Sequence, residues 1–149
     1  MKLRKSIGIV LMLAGCTAPW GDRGTIPEVH IQGADYAFVG IPETLAAGRT
    51  AFAYQNVGKV GHEMGIERLV PGRTFKDVTA ADSTKLPNDS LYAGTAGILI
   101  TRPGETAPGM VLVDLKPGAT YLIWCDFRDS AGAKRHSAMG MLGAFTVRR

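Results

Sequence analysis

At 149 residues the chain suits one domain with a single hydrophobic core. Its 19 glycines and 8 prolines are too few for a low-complexity chain and fit many short strands joined by turns. No basic face with interleaved aromatics accompanies the formal net charge of +4, so nothing points to a nucleic-acid partner and none is expected.

The chain opens with Lys2, Arg4 and Lys5, followed by a short apolar run, Ile7–Ala14, and small residues. That run is far below the roughly 20 apolar residues a helix needs to span a bilayer, so it reads as an export signal. Its end, Leu13-Ala14-Gly15-Cys16, resembles the lipobox of bacterial lipoproteins. By that resemblance residues 1–15 are a signal peptide and Cys16 becomes the lipidated first residue of the mature chain. Residues 16–27 are then a lipidated N-terminus and tether, and acyl chains hold the protein on a membrane without crossing it. The expected location is extracytoplasmic, on the periplasmic side or the cell surface. Removing the signal leaves fourteen Lys+Arg against thirteen Asp+Glu, so the mature chain is nearly neutral. With Cys16 acylated, Cys125 has no disulfide partner. A lone thiol in an oxidising compartment points to metal ligation.

From residue 28 to 149 the pattern is β. A short strand is expected at Val29–Gly33, continued by Tyr36–Val39, with Thr44–Ala46 as an extended link. Arg49–Asn56 alternates Ala51 and Ala53 with Phe52 and Tyr54, the period of a half-buried strand. After the glycine-bracketed loop Val57–Gly61, His62–Val70 alternates again. It sets His62, Met64 and Ile66 on one face and turns Glu63 and Glu67 away from it. Thr74–Asn88 is the one stretch tolerant of helix, one or two turns long. Tyr92–Gly109 is rich in glycine and proline, with a short strand expected over Gly97–Ile100. Met110–Leu115 and Thr120–Asp126 are strands around the turn Lys116-Pro117-Gly118, and Ala144–Val147 closes the chain. About seven short strands with one helical excursion predict an all-β Greek-key sandwich or barrel.

The last third concentrates the chemistry. The apolar run Tyr121–Trp124 delivers Cys125 to a strand end, and a polar loop leads to His136 and then Gly140-Met141. Upstream, His62 opens a strand just after a loop. Taken singly, each has an ordinary reading: a buried core cysteine, a surface-loop histidine, a satisfied sheet histidine, a core-filling methionine. Two His, one Cys and a weak Met together are the ligand set of a blue-copper electron-transfer centre. The thiolate stabilises Cu(I), the imidazoles suit both oxidation states, and the thioether tunes the potential.

Asn56-x-Gly58-x₃-His62, followed by Pro117-Gly118-x₂-Tyr121-x₃-Cys125, His136-x₄-Met141 and Phe145-x-Val147, resembles the cupredoxins, the plastocyanin and azurin class. The resemblance covers roughly Val29 to Arg148. It implies a Greek-key β-sandwich with one type-1 copper, held by His62, Cys125 and His136 with Met141 as the axial ligand. It gives Asn56 the part of a structural asparagine that stiffens the ligand loops. Met139 is a rival for the axial position, and Gly140-Met141 matches the family spacing better. The chain departs from the pattern in length: ten residues, Asp126 to Arg135, separate Cys125 from His136, where small blue-copper proteins have only a few.

The expected function is one-electron transport by a monomer that docks transiently on redox partners. Ala138, Met139 and Leu142 would form the contact patch, rimmed by Arg128, Lys134 and Arg135. Copper delivery or storage, with Met64, Met139 and Met141 as extra thioethers, and a metal-free interaction domain are the competing functions. Enzymatic activity is not expected.

Overall fold

Alternation decides the faces of the strands, and the faces decide how they stack. The structure is a computed structural model and describes residues 24–81 and 90–149. The expected signal segment, Cys16 and most of the tether lie outside the described residues, as does part of the polar excursion. Nine strands run through the described residues: β1 (Glu28–Ala34), β2 (Ala37–Val39), β3 (Thr44–Leu45), β4 (Gly48–Asn56), β5 (His62–Leu69), β6 (Tyr92–Thr101), β7 (Val111–Leu115), β8 (Thr120–Trp124) and β9 (Leu142–Val147). Among the described residues an α-helix, α1 (Phe75–Ala80), sits between β5 and β6, and a single 3-10 turn (Ser137–Met139) precedes β9. The first sheet has the order β2-β1-β4-β7 and the second β3-β9-β8-β5-β6.

The two inner faces make the core. Ile31, Phe52, Tyr54, Val113 and Leu115 come from the first sheet, and Met64, Ile66, Tyr121, Ile123, Phe145 and Val147 from the second. Across the middle, the Phe145 ring stacks on Phe52 at 5.6 Å and on Tyr121 at 5.3 Å. β8 is apolar at nearly every position because both its faces are covered. Tyr121 and Ile123 point into the sandwich, while Leu122 joins Leu69 and Val78 in a smaller cluster on the outer side of the second sheet. Helix α1 supplies Val78 and Phe75 to that cluster. It opens where the Thr74 N–H and hydroxyl both donate to Asp77 Oδ2, at 2.7 and 2.8 Å.

The β-sandwich matches the sequence expectation, but several details differ. Tyr36 does not continue β1. It sits with Asp35 in a turn, and β2 folds back antiparallel on β1. β6 covers ten residues instead of the short Gly97–Ile100, because its pairing with β5 runs the full length of both strands and supplies the hydrogen bonds that its glycines weaken locally. Thr44–Leu45 is a true strand, paired in parallel with Thr146 and Val147 at the sheet edge. β2, split from β1 by the turn, and β3 account for the excess over seven.

The pairing gathers one set of strand ends. Gly33 lies beside Asn56, His62 beside Thr101, and Trp124 beside Leu142. The loops that follow β4 and β8, the β1–β2 turn and the start of β5 therefore share one end of the sandwich.

Candidate metal centre

His62 is the first residue of β5, with its side chain on the inner face and no exposure to solvent. The loop before it is held by Asn56, also fully buried. The Asn56 Nδ2 donates to Val60 O at 2.8 Å and reaches Thr101 O at 3.4 Å, while its Oδ1 accepts from the Gly58 N–H at 2.9 Å. One side chain thus closes the loop on itself and ties it to β6. A Cβ at Gly58 would lie 2.4 Å from Asp35 Oδ1 and 3.0 Å from His62 Nε2, so a side chain there would displace the carboxylate behind His62.

Cys125 follows β8, and the chain from it to Met141 is laced by backbone hydrogen bonds. The Cys125 carbonyl accepts from the Ser137 N–H at 2.7 Å, and the Cys125 N–H reaches the Met141 carbonyl at 3.2 Å. The Met141 N–H donates to the His136 carbonyl at 2.9 Å. The ten-residue excursion does not loosen this arrangement, because it is pinched off at its root: the His136 N–H donates to the Phe127 carbonyl at 2.8 Å. Asp126 adds side-chain bonds, accepting from Ser137 Oγ at 2.6 Å and pairing with Arg135. The Asp126 N–H in turn donates to Glu63 Oε1 at 2.8 Å. That bond links the residue after one ligand to the residue after another.

These constraints bring three donor atoms together. His62 Nδ1 and His136 Nδ1 are 3.1 Å apart, and Cys125 Sγ lies 3.9 and 3.5 Å from them. A triangle with those sides has its centre about 2 Å from every corner, the length of a metal–nitrogen bond and a few tenths of an ångström short of a metal–thiolate bond. All three side chains are buried, with at most 1% exposure. A soft thiolate and two imidazoles in a trigonal array fit one type-1 copper ion.

The outer nitrogens carry the complementary chemistry. His136 Nε2 lies 3.0 Å from Asp129 Oδ1. Asp35 Oδ1 stands 3.6 Å from His62 Nε2, close enough for charge to matter but beyond a hydrogen bond. A proton drawn to Nε2 leaves the Nδ1 lone pair facing the centre, the form in which imidazole ligates a metal. Burial, and then the neighbouring His136, hold His62 below the usual histidine range, with Asp35 opposing them. That keeps His62 uncharged at neutral pH. Burial raises the Cys125 thiol to about 11, against the contribution of the Glu63 N–H donated to Sγ at 3.4 Å. Without a cation at the centre the thiol holds its proton at neutral pH, and metal binding would release it.

The four residues expected as ligands divide unevenly. His62, Cys125 and His136 meet at one point. Met141 is fully buried and tied by its backbone to the same loop, whereas Met139 is 37% exposed. The Met141 methyl lies under Gly33, where a Cβ would meet it at 3.2 Å. Asn56 ties the His62 loop to β6 through the bonds already described. Several participants carried no signal in the sequence. Glu63, expected on the solvent side of its strand, is buried at 8% exposure because the outer face of the second sheet is covered. Asp35, Tyr36 and Asp129 reach the site from a turn and a loop, where no periodicity marks a residue's direction. Of the expected contact patch, Met139 is exposed, but Ala138 and Leu142 face a groove shared with Phe75 and Val78 of α1. Arg135 is engaged by Asp126, and Arg128 by the Ala133 carbonyl.

No family model matches the chain, and no curated protein matches it in sequence. Solved structures do match in fold. The dithionite-reduced auracyanin of the photosynthetic bacterium Roseiflexus castenholzii has a TM-score of 0.56 at 18% identity, covering 85% of this chain and 100% of its own. Auracyanin B has a TM-score of 0.53 at 21% identity, over 83% and 89% of the two chains. Auracyanin A, a "blue" copper protein from the green thermophilic photosynthetic bacterium Chloroflexus aurantiacus, has 0.51 at 17% identity, over 83% and 100%. At these identities the likeness is one of fold.

Proposed function

We propose that this chain, whose fold is that of the cupredoxins, is a one-electron carrier using a single type-1 copper held by His62, Cys125 and His136, with Met141 as the axial ligand. The observation that carries this function is the convergence of Nδ1, Nδ1 and Sγ, all buried, within 4.8 Å of one another. Bound there, copper would supply a Cu(II)/Cu(I) couple, which transfers an electron without making or breaking a substrate bond. The protein's part is to keep the donors still. Burial excludes water from the ligand set. The backbone bonds joining Cys125, His136 and Met141 limit how far the loop moves when the charge at the centre changes. Asn56 does the same for the loop before His62.

Redox proteins docking briefly near the ligand end are the partners we assign to it, with Met139 as an exposed apolar contact. We also assign it an extracytoplasmic site, anchored through lipid on Cys16. Among the described residues no helix is long and apolar enough to cross a membrane. A Cys16→Ala chain that still sediments with membranes would refute the anchor.

The metal assignment is tested by adding Cu(II) to the metal-free, full-length chain. An intense visible thiolate–copper band, reversible voltammetry and loss of the band in Cys125→Ser are expected. Bound copper should also raise the melting temperature, since it binds the folded state only. No band and no stabilisation would refute the proposal. A colourless chain that surrenders Cu(I) rapidly to a chelator would point to delivery instead, which the burial of all three donors opposes.

A further inference from the structure

Two features supply no donor atom: the long excursion between Cys125 and His136, and the turn between β1 and β2. They meet over the imidazoles. Tyr36 holds a φ of 60°, a left-handed conformation that costs a non-glycine residue about 1 kcal/mol or more and persists where neighbours enforce it. Its ring stands edge-on to His136, with centroids 5.1 Å apart, and to His62 at 6.5 Å. Its hydroxyl donates to Asp129 Oδ2 at 2.6 Å, and the other oxygen of that carboxylate is the one beside His136 Nε2. Asp129 lies inside the excursion, so the additional residues deliver a carboxylate to the back of a ligand. The adjacent Asp35 stands behind the other imidazole.

We propose that Asp129 and Tyr36 are positioning residues of the metal centre. Asp129 accepts the Nε2 proton of His136 and so keeps Nδ1 bare and aimed at Cys125, while Tyr36 fixes the carboxylate and covers both rings. This rests on the assignment of copper to the cluster. The physical basis is the tautomer choice of a neutral imidazole, whose single proton goes to the nitrogen with the better acceptor. Such partners behind a ligating histidine are typically worth 10–100-fold in metal affinity.

The test compares wild type with Asp129→Ala, Asp129→Asn and Tyr36→Phe in two assays. In the metal-free chain, ¹⁵N NMR should find His136 protonated at Nε2 in wild type and lose that preference in Asp129→Ala. In chelator competition, copper affinity should fall about 10–100-fold in Asp129→Ala. Asp129→Asn, which keeps an oxygen acceptor, should restore most of it, and Tyr36→Phe should fall between. An unchanged tautomer and an affinity within about twofold of wild type in Asp129→Ala would overturn the proposal. So would an Asp129→Asn chain as weak as Asp129→Ala, since an acceptor oxygen at that position would then not be what orients His136. A wild-type chain that takes no copper would refute the metal assignment, and the tautomer measurement would still decide whether Asp129 orients His136.

Discussion

Truncating Asn56 to alanine separates the stiffness of the ligand loop from the ligands themselves. The side chain is fully buried, 0% exposed, and makes hydrogen bonds of 2.8 Å to Val60 O and 2.9 Å from the Gly58 N–H, with a longer contact to Thr101 O. Each good bond contributes about 0.5–1.5 kcal/mol net, and leaving a buried group unpaired costs more. Gly58 and Val60 are only half-buried, so water can replace part of what is lost. The expected destabilisation is therefore about 2–3 kcal/mol, or a fall in melting temperature of roughly 6–12 °C for a domain of this size. Urea unfolding of the metal-free chain measures it. The midpoint should drop with an unchanged slope, because the same surface is exposed on unfolding. Copper-loaded Asn56→Ala should also show a shifted visible band, since His62 hangs on the loosened loop. A loss below about 1 kcal/mol with a wild-type spectrum would mean that strand pairing alone holds the loop, and the role assigned to Asn56 would fall.

Gly65→Ala places a Cβ 2.4–2.8 Å from the Trp124 indole, which lies over β5 in register with Gly65. The ring must move, so thermal unfolding should show a loss of about 1–3 kcal/mol, and a neutral result would mean that the indole is free to swing away. Asp77 is held below its ordinary value of 3.8 by the Thr74 hydroxyl and N–H. Its folded pKa being the lower one, its contribution to stability is present above pH 3.8 and is lost as pH falls through the folded value. Asp77→Asn should therefore flatten the acid limb of the stability curve relative to wild type, and parallel curves would refute the assignment.

The alternation of Phe52 and Tyr54 with small residues, the apolar run of β8 and the regular turns made the β-sandwich legible, because strand faces are a local property. The ligand types were legible too. Cys125 ends an apolar strand and His136 is followed at fixed spacing by Met141, so all three sit on one strand–loop–strand unit. His62 was identifiable as a candidate, but nothing local joins it to residues some sixty positions away.

That junction belongs to the tertiary structure. β8 pairs with β5 from Gly65 to Arg68, and this long-range register carries Cys125 to the side of His62. The burial of Glu63 likewise depends on what packs against the outer sheet. The Asp129–Tyr36 cap depends on where a turn and an excursion come to rest, and loops have no period to reveal it. The sequence by itself determined which strands form and which donors they offer, since both are written in side-chain chemistry and local spacing. Only the pairing of β5 with β8 inside the second sheet decided that two nitrogens and a sulfur face one point, because register between strands some sixty residues apart is not a local property.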